Sequence, residues 1–105
     1  MTTEFLKALD EYVDNVQSLV NNDLRKRLPS LDLAKIMVEP RGIKYKKVIY
    51  IQGVHKSVHS FVEISTGDIF KPASWKTPAK HKRGNIYRNK GNEALTTQGT
   101  VRYFK

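Results

Sequence analysis

The chain has 105 residues and no cysteine, enough for one domain with a single modest core. Disulfides, thiolate zinc sites and cysteine nucleophiles are thereby excluded. Nineteen Lys and Arg face ten Asp and Glu, for a net charge of +9. No stretch approaches the roughly 18 uninterrupted apolar residues of a membrane span, so a membrane partner is not expected.

The charge is unevenly placed. Residues 1–23 carry five acids and Lys7, a net of −4; residues 24–70 reach +5; residues 71–105 hold nine bases against Glu93 alone, a net of +8. Such asymmetry attracts polyanions and steers them to one part of a fold.

The opening segment predicts a long amphipathic helix within residues 1–29. Phe5, Leu9, Tyr12, Val16 and Leu19 recur at spacings of four and three, with Leu6, Val13 and Val20 beside them. Thr2 or Thr3 caps the start and Pro29 stops the run. Arg25, Lys26 and Arg27 lie near the negative end of the helix dipole, a role that competes with nucleic-acid contact. The acidic N-terminus lacks the apolar run of a secretory signal, and a cytoplasmic protein is expected.

Residues 33–71 read as an antiparallel meander. Ala34, Ile36 and Val38 alternate with Lys35, Met37 and Glu39, and "IKYKKVIYI" and "SVHSFVEI" follow as β-branched, aromatic-rich strands. "QG" and "STGD" mark the turns. Residues 72–105 are expected to be a basic loop with short strands at "NIY" and "TVRYF". The fold class is α+β, in one domain over residues 1–105: the helix covers one face of a three- to five-stranded sheet, and the other face stays open.

No catalytic or metal constellation emerges, and no cofactor is expected. His55 and His59 are four apart, but four strand residues span about 13 Å, too far to share an ion whose Zn–N bonds are about 2.0–2.1 Å. Asp32, Glu39, Glu63, Asp68 and Glu93 are too scattered to hold Mg²⁺ as a nuclease would. Ser57, Ser60 and Ser65 lie near His59 without a nucleophile elbow. The chain is therefore read as a non-enzyme.

Nucleic-acid binding needs cations for phosphate and flat rings for bases. Lys44, Lys46 and Lys47 surround Tyr45 on one predicted strand. In "KPASWKTPAKHKRGN", Lys71, Lys76 and Lys80 surround Trp75 between Pro72 and Pro78, and neither helix nor strand is expected to run through. Lys82, Arg83 and the backbone near Gly84–Asn85 suggest a phosphate cradle, which Tyr87 and Arg88 extend; His81 is a further contact or a solvated residue. Tyr103 beside Arg102 repeats the pairing. Phe61, Phe70 and Phe104 are read as core.

The stretch "SVHSFVEISTGDIFKPASWKTPAKHKRGNIY" resembles a family of short phage-encoded proteins that share the "TGD" hairpin, a "KPASWK-x-PAK" block and an "RGNI" ending. The resemblance covers roughly residues 44–87. It implies a phage origin and action in the host cytoplasm, and it implies no catalytic residue.

The expected function is binding of DNA or RNA, with single strands slightly favoured. An acidic host protein is the alternative partner, with Trp75 as its anchor, and a virion-associated structural role shares the same logic. An exposed sheet edge or surplus apolar helix face also allows a homodimer.

Overall fold

The structure, a computed structural model, describes residues 2–27 and 33–102. Pro29, Tyr103 and Phe104, to which the sequence assigned roles, lie outside the described residues. Helix α1 runs Thr3–Arg27, followed by strands β1 (Lys35–Val38), β2 (Tyr45–Gln52), β3 (His55–Glu63), β4 (Asp68–Pro72) and β5 (Pro78–Asn85), and by a 3₁₀ segment, Asn89–Ala94. The strands form one antiparallel sheet in chain order, with the helix packed against it, so the α+β architecture is as expected.

The Thr2 hydroxyl accepts a hydrogen bond from the Phe5 N–H, capping α1. At the other end Arg27 pairs with Asp23 one turn earlier, at 2.7 Å. Phe5, Leu9, Tyr12, Val16, Val20 and Leu24 are buried and form one stripe. The stripe is narrower than the sequence suggested. Leu6 stays 44% exposed, while Val13 and Leu19 pack at its margins.

The helix meets Ala34 just before β1, Ile36 of β1, Val48 of β2, Val62 of β3 and Ile69 of β4. Strand alternation puts these residues on one face. Gln17 closes the outer edge of β1 from the helix: its Nε2 donates to the Ala34 carbonyl and its Oε1 accepts from the Ile36 N–H, both at 2.8 Å. That side chain takes the place of a further strand on an otherwise unpaired edge.

β2 turns into β3 through Gly53 and Val54, where Gly53 adopts φ 58°, the left-handed conformation that tight hairpins require. A register shift next to Ile49 leaves His59 as the extra residue of β3. The bulge brings His59 beside Ser60, with its ring 6.4 Å from that of Tyr12.

The largest departure from expectation lies in residues 71–85. The prolines do not prevent pairing. Pro72 ends β4, Pro78 begins β5, and the two face each other across the hairpin. Proline lacks an N–H to give the ladder and is tolerated at strand ends, which is where both sit. Only residues 73–77 form the tip, closed by the Ala73 and Ser74 N–H groups on the Thr77 carbonyl. "TVRYF" contributes an isolated bridge between Leu95 and Val101.

Candidate nucleic-acid interface

The face of the sheet turned away from α1 is not bare. Alternation along β2 places Tyr45, Lys47 and Ile49 there, opposite in sense to Lys46 and Val48. Phe61 of β3 and Phe70 of β4 are cross-strand partners, and Tyr45 meets both edge-on at centroid distances of 6.1 and 5.8 Å. Edge-to-face packing of this kind fixes ring orientation as well as burying area. Phe61 is buried, as a core reading requires, but it belongs to this second layer and not to the cluster under the helix.

Cations lie over the rings. The Lys44 ammonium is 5.4 Å from the Tyr45 centroid, and that of Lys47 is 5.9 Å from Phe61 and 4.6 Å from Trp75. Lys56 approaches Trp75 from β3 at 5.8 Å. Trp75, at the β4–β5 tip, therefore stands over the sheet with 43% of its surface exposed. Two open clefts border this tip. One, of about 310 Å³, lies between the β1–β2 loop and Lys76, over Tyr45 and Phe61. The other, of about 320 Å³, lies between Lys56–Val58 and Pro72–Trp75. Arg41, Lys44, Lys47 and Lys76 outnumber the single acid of the first cleft, Glu39.

The sequence-predicted residues divide by position. Lys44, Lys47, Trp75 and Lys76 come together on this face. Lys46 does not: it is buried, and its ammonium donates to the Pro40 carbonyl at 2.7 Å, because odd-numbered β2 residues hold the open face and it is even. Lys71 is half-buried, with its charge felt at His59 rather than among the rings. Lys80 is exposed on β5. Lys82, Arg83 and Arg88 line a third cleft of about 280 Å³. There Asp68 and Glu93 offset them, with Asp68 3.9 Å from Lys82, so the expected phosphate cradle is largely neutralised. The Asn85 side chain is also committed, donating to Thr66 and Asp68 and accepting from the Tyr87 N–H. Tyr87, 45% exposed, lies against Gly67 and borders a separate groove with Glu4 and Lys7 of α1.

Arg41, Lys56 and Phe70 were absent from the sequence-derived site, where Tyr45 stood as the ring between its lysines. Strict alternation along β2 is the signal that would have kept Tyr45 and Lys47 together and dismissed Lys46. The β4–β5 register, which brings Trp75 back over β2 and β3, had no local signal.

The helix-facing side holds a run of hydrogen bonds through His59, Ser60 and Tyr12. His59 Nε2 lies 2.6 Å from the Gly99 carbonyl, which can only accept, so Nε2 carries the proton. Nδ1 then accepts from the Ser60 hydroxyl at 2.9 Å, and Ser60 accepts from the Tyr12 hydroxyl at 2.8 Å. Burial, and secondarily the Lys71 charge, lowers the pKa of His59 against the opposing effect of the Gly99 bond. Burial raises that of Tyr12. Ser60 and Tyr12 are fully buried, so this run of hydrogen bonds belongs to the core. Among the described residues no group of three or more metal-ligating side chains comes together, and no helix is long and apolar enough to cross a membrane.

Over residues 1–103 the chain matches a family of unknown function, DUF7717, and it belongs to that family. The match takes in α1 and the segment after Asn89 as well as the hairpin motifs. No curated protein and no solved structure matches the chain.

Proposed function

We propose that this protein is a non-enzymatic nucleic-acid-binding protein that holds single-stranded DNA or RNA on the open face of its sheet. The observation that carries the reading is the layering of Lys44, Lys47 and Lys56 over Tyr45, Phe61 and Trp75. Single strands are bound by cationic grooves that follow the backbone and by rings on which successive bases stack. Two clefts that meet the β4–β5 tip, one at Trp75 and one at Lys76, suit successive nucleotides of an extended strand. A duplex keeps its bases stacked inward, and among the described residues this face presents no protruding helix to enter a groove. The resemblance of the "KPASWK-x-PAK" block to phage-encoded proteins supports a role in an infected cell, on the phage genome or its transcripts.

The test is fluorescence anisotropy with labelled single-stranded DNA, RNA and duplex DNA across a salt series. Affinity for single strands at physiological salt, with a log–log salt slope of several phosphate contacts, supports the reading. Binding confined to low salt overturns it.

Ile43, 98% exposed on the rim of the first cleft, favours a second reading: an acidic host protein docked on the same face, with Trp75 as anchor. Capture from host lysate that survives nuclease treatment distinguishes it.

A further inference from the structure

We infer that the cleft beside Tyr45 selects guanine in a single strand, and that Glu39 is the residue that reads the base; the inference rests on the nucleic-acid reading above. Glu39 follows β1 in the parity of the open face, and its backbone N–H is held on the Lys47 carbonyl at 2.9 Å. Its side chain lines the same cleft as Arg41, Lys44, Lys47 and Lys76. Yet among the described residues no Lys or Arg lies within ion-pair distance of its carboxylate. An acid amid four cations weakens attraction for phosphate. A surface that recognised only the backbone would bind better without it.

What the carboxylate adds is selectivity. An ionised carboxylate has acceptors only, two oxygens side by side. Guanine alone among the standard bases presents two adjacent donors on its Watson–Crick edge, the N1–H and the N2 amino group, and so forms two parallel charge-assisted bonds. Adenine and cytosine set a ring acceptor beside their amino group, which faces the second oxygen unfavourably. Thymine and uracil offer one N–H between two carbonyls. The guanine edge is free only when the base is unpaired, which ties this selectivity to single strands. With Glu39 on that edge, the half-buried Tyr45 ring is the neighbouring stacking surface, and the cations of the rim face the flanking phosphates.

The test uses the full chain and eight-nucleotide thymine strands carrying one central guanine, inosine, adenine or cytosine, at fixed physiological salt. Inosine keeps the N1–H and lacks the N2 amino group. The guanine strand is expected to bind about tenfold more tightly than the inosine strand. Glu39→Gln, which keeps the shape but replaces one acceptor by a donor, removes the preference. Glu39→Ala also removes it, and raises affinity for the adenine and cytosine strands because a negative charge is lost. Equal binding of all four strands overturns the inference and leaves the nucleic-acid reading intact, as does a guanine preference that survives in both variants. Failure of every strand to bind overturns both.

Discussion

The ammonium of Lys47 stands 4.6 Å from the centre of the Trp75 ring, although 28 positions separate the two in sequence. The contact joins the middle of the sheet to the tip of its last hairpin and makes Trp75 part of the open face. Replacing Trp75 with Ala should weaken single-strand binding by about 1–3 kcal/mol, the value of one base–aromatic stack. Because the ring is 43% exposed, thermal unfolding should move little. Anisotropy and a melting curve on the same preparation check both parts.

The basic residues should separate into two groups. Replacing Lys44, Lys47 and Lys76 together by Ala removes three cations of the open face, and the single-strand salt slope should drop by about 2, at about 0.7 per phosphate contact. Replacing Lys80, Lys82 and Arg83 should weaken binding less, since Asp68 and Glu93 already offset charge around Lys82 and Arg83. Equal losses in the two triple variants would return the site to the β4–β5 edge.

The sheet and the helix were legible in sequence because burial repeats with the period of the element: four and three in α1, two in β1 and β2. The site was legible only in composition. Lys44, Lys46 and Lys47 look equivalent in a basic run, yet one residue of parity sends Lys46 inward onto Pro40. Pro72 and Pro78 read locally as breakers, and their compatibility with a hairpin depends on which strand edge each occupies. Glu39 looked like one of several scattered acids, because its cationic neighbours come from the following loop and from the distant hairpin tip.

Stability should depend on pH at both ends. Neutral His59 is favoured in the folded protein, so its pKa lies below the unfolded value of about 6.5. In that window the unfolded chain binds more protons, and stability should fall as pH drops below about 6.5 until the folded pKa is reached. Protonation gives Nδ1 a hydrogen, and Ser60 can then no longer donate to it. Tyr12 shifts the opposite way: folding favours its neutral form, so stability should also fall as pH rises above about 10. Denaturant melts at graded pH check both limbs, and His59→Asn should flatten the acid limb.

The same hydroxyl chain predicts the effect of its central member. Ser60→Ala leaves the buried Tyr12 hydroxyl and His59 Nδ1 without their shared partner and should cost about 1–3 kcal/mol. Gly91→Ala should cost about 2–4 kcal/mol, because φ is 75° there and the added methyl would collide with the Tyr12 ring. Equilibrium unfolding of both variants measures these losses.

The central claim is that single-stranded nucleic acid occupies the open face beneath Trp75. It is tested most directly by following Trp75 emission, the only tryptophan signal in the chain, while an unlabelled single strand is titrated at physiological salt. Saturable quenching that parallels anisotropy and is reversed by added salt is the expected result. Binding by anisotropy with unchanged Trp75 emission would contradict it and place the strand elsewhere on the molecule.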